Sequence, residues 1–307
     1  MNRPFPWITA PADAYRLWQE TDAVGADRRP FSPRSRIQHA AMFDRFLRHL
    51  ATKGVTLATF GTANVEAFFV DVDMRCAPGT TTRLRYGRLL ERLCRQLIED
   101  GIREENPVTT IAAFERWPED EPVPLYLRPD ADARLQAWVQ PAADDDARAL
   151  RNRAIVALFL ATGIQATELR QARCDHLGVE GMRPLLEVPK RGPRDSRRIP
   201  LPPFSIATLS RWKQTREPDA GDAPLFPAPG REGMVNDVLL GNVVREAFEA
   251  IGFRAPDMSP RVLRNTYARR QLLDGRGNVD VSRLLGLTSQ RTVVRLRATI
   301  ENIRLAG

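Results

Sequence analysis

Lysine is almost missing from this chain. Of 46 basic residues only Lys53, Lys190 and Lys213 are lysine. Arginine is the better bidentate ligand for phosphate, although a GC-rich genome produces the same bias. Cysteine is scarce too: Cys76, Cys94 and Cys174 are scattered, odd in number and form no CxxC pair. That excludes a disulfide framework and gives no support to a zinc site, so neither metal nor cofactor is expected. Structural thiols in a reducing cytosol fit this usage. No apolar run approaches the length of a membrane span. The longest, Ala154 to Ala161, suits a buried helix. The N-terminus carries Asp13, Glu20 and Asp22 with no apolar core, which is unlike a signal peptide. Together these absences point to a cytoplasmic protein with no membrane partner. Internal repeats and low-complexity tracts are also missing.

What is present is positive charge. The 307 residues carry a formal net charge of +8, which suggests a polyanionic partner such as nucleic acid. A basic enzyme without such a partner is the plainer alternative. Between Met258 and the end stand ten arginines, no lysine and three acids, so the excess is concentrated there.

Hydrophobic spacing predicts a largely helical chain in two parts. Helices are expected over 12–21, 35–53, 62–72 and about 80–100. Val65, Phe68, Phe69 and Val72 point inward on the third, and Leu84, Leu89, Leu90, Leu93 and Leu97 on the fourth. Ile37, Ala40, Ala41, Phe43, Phe46, Leu47 and Leu50 are read as the apolar face of the second. The helix from Thr80 also carries Arg83, Arg85, Arg88, Arg92 and Arg95, either as a solvated face or as phosphate contacts. Pro118, Pro122, Pro124 and Pro129 read as an interdomain linker. Further helices are expected over 130–139, 147–162, 202–216, 236–251 and 262–273. Two strands, 184–189 and 197–201, flank a basic turn from Lys190 to Asp195.

Thr162-Gly163-Ile164-Gln165-Ala166-Thr167-Glu168-Leu169 resembles the Thr-Gly-Leu-Arg-x-x-Glu-Leu box of the tyrosine recombinases (phage integrases). Arg261 and Arg264 fall on that family's His-x-x-Arg box. Leu285-Gly286-Leu287 falls on its Leu-Gly-His/Trp box, and Leu296, nine residues on, falls where the tyrosine stands. Lys190 fits a lysine at the start of the hairpin turn, which serves as general acid in active members. Lys190 reads equally as part of a solvated basic turn. The resemblance spans nearly the whole chain. It implies a mainly α, two-domain fold with a small β-hairpin: a helical core-binding domain over 1–116, a linker over 117–123, and a recombinase-like α/β domain over 124–307.

The departures fall on the chemical positions. Gln165 replaces the first catalytic arginine, Arg261 the histidine, Leu287 the histidine or tryptophan, and Leu296 the nucleophile. Only Lys190 and Arg264 are retained. A leucine can neither attack a phosphodiester nor donate a hydrogen bond. No tyrosine follows Tyr267, which reads as core packing, and His39, His49 and His176 all precede the last boxes. Ser289, Thr292 and Thr299 lack an evident base. The resulting expectation is a chain that is not an enzyme. It would bind duplex DNA as an accessory subunit or regulator of recombination or integration of a mobile element. The alternatives are an active strand-transferase with a displaced nucleophile, and a protein-interaction module without DNA. The expected DNA contacts are Lys190, Arg191, Arg194, Arg197, Arg198, Arg261, Arg264, Arg83 and Arg88. Arg264 has a second reading as a structural partner of Glu168 or Asp280. Leu296 with Val293, Ile300 and Ile303 forms a helical stripe that docks on its own domain or on another subunit, an active recombinase or a second copy.

Overall fold

The structure, a computed structural model, describes residues 5–25, 29–76, 81–109, 111, 121–191, 194–216, 222–228, 230 and 233–306, without the side chains of 301–306. Thr80, Pro118, Gly192, Pro193 and the side chain of Ile303 therefore lie outside the described residues, as do residues 117–120 of the expected linker. The chain divides into two compact units, Met1–Pro122 and Val123–Gly307.

The first unit is helical: α1 Pro11–Thr21, α2 Pro33–Thr52, α3 Thr62–Arg75 and α4 Thr82–Glu99. The Ser32 hydroxyl caps α2 by accepting the amide of Ser35 at 3.2 Å, and Pro33 opens the helix. There a missing N–H costs nothing. The core is aromatic. Phe46 meets Phe60 and Phe68 edge-on, and Tyr15 stacks on Phe43 at 4.0 Å. Every inward residue expected on α3 and α4 is buried. The apolar face read on α2 is only partly buried. Ile37 (72% exposed) and Ala41 are exposed, Ala40 and Leu47 are half-buried, and Phe43, Phe46 and Leu50 are buried. The irregular N-terminal stretch contributes to the core, since Trp7 is buried and its indole N–H donates to Asp100.

The second unit is built around one apolar helix. It contains α5 Pro129–Trp138, α6 Ala147–Thr162, α7 Ala166–Arg170, β1 Leu177–Gly178, β2 Leu185–Val188, β3 Arg197–Pro200, α8 Pro203–Gln214, α9 Asp237–Ala250, α10 Pro260–Leu273, α11 Asn278–Leu284 and α12 Arg291–Ala306. Asp146 caps α6 by accepting the Ala149 amide. Every residue from Ala154 to Thr162 is buried, with α8 and α10 packed alongside. Pro129, expected in the linker, is the first residue of α5. The sheet is antiparallel in the order β1-β2-β3. Its two-residue strand β1 is too short to give an alternation in sequence. On β3, Ile199 opposite Leu186 and Arg197 opposite Val188 share the inward face, while Arg198 opposite Glu187 faces out. The mainly α fold with a small sheet is as expected.

Candidate nucleic-acid interface

The site begins where α6 stops. Gly163 takes a left-handed conformation, φ +62°. A Cβ there would lie 2.5 Å from Tyr267 Cδ1, so only glycine lets the chain turn into α7. Gln165 caps α7, and its amide donates to Glu168 Oε2 at 2.8 Å. That carboxylate sits inside the domain, its side chain 4% exposed, and accepts Arg197 Nη2 at 2.9 Å. Burial would raise the Glu168 pKa. The Arg197 hydrogen bond, the Gln165 amide and the charges of Arg197 and Arg264 outweigh it, and the net shift is downward.

Arg197, expected as a DNA contact, is therefore mostly buried rather than solvated. Its side chain is 6% exposed, and its Nε donates to the Leu284 carbonyl at 2.7 Å. Gly286, at φ +61°, makes room for it: a Cβ there would stand 2.7 Å from Arg197 Nη1. The period-two pattern of β3 was the signal, because Arg197 shares a face with Ile199. Arg264 is half-buried on α10. It donates to the Gly163 carbonyl, and to the Leu285 carbonyl at 2.7 Å. The structural partners expected for it, Glu168 and Asp280, pair instead with Arg197 and Arg283. Burial, with the nearby charges of Arg197 and Arg194, pushes the Arg264 pKa down to about 10 despite the opposing pull of Glu168.

Arg194, at the end of the hairpin turn, donates to the side-chain oxygen of Gln165. Three guanidiniums thus gather around one carboxylate and one neutral amide. A cleft of about 460 Å³ opens beside them, lined in part by Arg194, Arg197, Ser282, Arg283, Leu287 and Ser289. The sequence reading missed Ser282 and Arg283, which carry no box signature. Ser282 is 5% exposed, and its hydroxyl is buried with no hydrogen-bond partner among the described residues.

The other expected contacts lie elsewhere. Lys190 is exposed at the end of β2, 3.9 Å from Asp195, and is not among the cleft-lining residues. Arg191 is exposed. Arg198 pairs with Glu187 at 2.8 Å on the outer face of the sheet. Arg261 is exposed at the start of α10. In the first unit Arg88 is exposed, while Arg83 pairs with Asp73 at 2.6 Å and lies over the Phe69 ring. Leu296 is fully buried with Val293 in the core of its own domain, joined by Ile300. The described stripe therefore docks internally. Tyr267 is 4% exposed, and burial pushes its hydroxyl up to about 12. No group of three or more His, Cys, Asp or Glu that could hold a metal occurs among the described residues. Among them no helix is long and apolar enough to cross a membrane.

No family model matches the chain. Curated relatives do. Tyrosine recombinase XerD of Brucella suis is 28% identical over 253 residues, covering 77% of each chain. Tyrosine recombinase XerC of Mycobacterium sp. (strain KMS) is 29% identical over 258 residues, covering 78% of this chain and 83% of the relative. The relatives are tyrosine recombinases.

The fold is theirs as well. XerH site-specific recombinase bound to palindromic difH substrate superposes with a TM-score of 0.75 at 15% identity, over 99% of this chain and 98% of that one. The Tn1549 transposon integrase in complex with a circular intermediate DNA gives 0.68 at 14% identity, over 94% and 98%. Tyrosine recombinases are enzymes. The relatives' names therefore overturn the expectation that this chain is not one. That expectation rested on counting replaced residues one position at a time. In the fold, a guanidinium from the hairpin, that of Arg194, does stand beside the first replaced position, Gln165.

Proposed function

We propose that this chain binds duplex DNA and takes part in site-specific recombination or integration of a mobile element, as an accessory subunit or regulator of the recombination assembly. A cytoplasmic location goes with that role. The carrying observation is the cluster of Arg194, Arg197 and Arg264 around the buried carboxylate of Glu168, beside an open cleft that Arg283 and the exposed Asp195 also line. Excess guanidinium charge at a cleft favours phosphate. The exposed Arg191, Arg261 and Arg88 add sequence-independent attraction to a duplex. Fluorescence anisotropy with a labelled duplex tests this. Saturable binding at low salt is expected. No binding to any duplex at about 50 mM salt, where phosphate contacts are strong, would refute it.

A second reading is a DNA strand-transferase whose nucleophile is not at position 296. It is favoured by Thr288 and Ser289, two hydroxyl-bearing residues that line the same cleft. A nicked suicide duplex separates the two readings. A denaturation-resistant adduct mapped by mass spectrometry to one of these hydroxyls supports the second. DNA binding without an adduct leaves the first.

A further inference from the structure

We infer that Arg194 is the side chain with which this cleft grips a backbone phosphate of the duplex, and that Gln165 is its positioning residue. The inference rests on the duplex-binding reading above and assigns the contact it requires.

The three guanidiniums are not equivalent. A guanidinium carries five N–H donors in a fixed fork. Arg264 commits both terminal nitrogens to the carbonyls of Gly163 and Leu285, which tie α10 to the turns after α6 and α11. Arg197 commits Nε to the Leu284 carbonyl and Nη2 to Glu168, with its plane against Gly286. Both are consumed in holding the domain together. Arg194 makes one side-chain hydrogen bond, to the neutral Gln165 amide, and among the described residues it has no carboxylate partner. It also lines the cleft. The neighbouring Asp195 also lines the cleft, but among the described residues it pairs with Lys190, at 3.9 Å, rather than with Arg194, and its side chain is 92% exposed.

Gln165 suits a positioning role. Its side-chain oxygen holds one edge of the guanidinium without cancelling the charge, whereas a carboxylate at the same place would neutralise it. Gln165 is in turn fixed by its backbone bond to Glu168 at 2.8 Å.

A second, independent feature points to a ligand. Ser282 lines the same cleft, and its hydroxyl is buried with no hydrogen-bond partner among the described residues. A buried unsatisfied hydroxyl is costly, and a phosphate oxygen would satisfy it while answering the uncompensated charge of Arg194. The downward shift of Arg264 has the same origin in part, since the charges of Arg194 and Arg197 bear on it. An anion in the cleft relieves that repulsion.

The test uses the full chain and one labelled duplex, with affinity measured across a salt series and folding followed by thermal melting. R194A should weaken binding about tenfold, as expected for a lost charge-assisted contact, and lower the salt slope by about one. R194K should keep the slope and lose part of the affinity, because the charge survives and the fork does not. Q165L should also keep the slope while weakening binding, because the charge remains and its positioning is lost. An R194A protein that melts with the parent and binds with the parent's affinity and slope overturns the inference. If R194A fails to fold, an R194K protein indistinguishable from the parent in affinity overturns it equally. A parent that binds no duplex at all removes the duplex reading itself, and the assignment with it.

Discussion

Glu168→Gln is the most informative single change in the second unit. It keeps the shape of the side chain and removes its charge. In the parent that carboxylate is 4% exposed and meets the 6% exposed side chain of Arg197 at 2.9 Å. It also offsets the charge of Arg264. Removing one partner of a buried ion pair leaves an uncompensated buried charge, at a cost of about 3–5 kcal/mol. For a unit of this size each kcal/mol lowers the melting temperature by about 2–4 °C, so a fall of about 6–20 °C is expected. The pair itself is worth much less than that, because its attraction is largely offset by desolvation. A Glu168→Leu, Arg197→Met double variant should therefore recover much of the loss. The same carboxylate sets a pH dependence. Its folded pKa is lowered below the usual 4.5. Its contribution is thus complete above the unfolded pKa and is lost as pH falls through the folded value. Urea midpoints measured between neutral pH and about pH 3, spanning the ordinary carboxylate range, should fall for the parent and change less for Glu168→Gln. The measurements are thermal and urea unfolding by circular dichroism. A Glu168→Gln protein melting within about 2 °C of the parent, less than a single kcal/mol is worth here, would refute the picture of one carboxylate holding the arginine cluster.

Gly286→Ala should cost about 1–2 kcal/mol for a left-handed non-glycine residue. It should also displace Arg197, whose Nη1 lies 2.7 Å from the new Cβ; a melting curve unchanged from the parent's would contradict this. Leu296→Ala, at a fully buried position, should cost about 2–5 kcal/mol and leave duplex affinity of the folded protein unchanged. Loss of affinity with intact stability would put Leu296 at the DNA.

Much of the fold was legible because the periodicities are strong. The inward residues of α3 and α4 and the wholly apolar run of α6 could be read directly, and each is buried as expected. The family boxes located the turn at Gly163, whose left-handed backbone explains the glycine. Other features were not legible for physical reasons. Strand β1 has two residues, and alternation needs more. Ile37 is apolar and in register with its helix, yet the neighbouring elements do not reach it. At the site, the boxes identified Gln165, Arg264 and Leu287. They said nothing of what refills the space around Gln165. That depends on the hairpin bringing Arg194 and Arg197 across a separation of 29 residues. No local pattern encodes such a contact. The inward face of Arg197 could have been read from its alternation with Ile199, but the surrounding run of basic residues made a phosphate contact the obvious reading.

The salt dependence of duplex binding by the unmodified chain tests the central claim most directly. If the arginine-lined cleft and the exposed basic residues meet backbone phosphates, log affinity should fall linearly with log salt. For roughly six to ten phosphates the loss between about 50 and 200 mM is about 10³–10⁵-fold. A flat response over that range, or no duplex binding at its low end, would contradict the account.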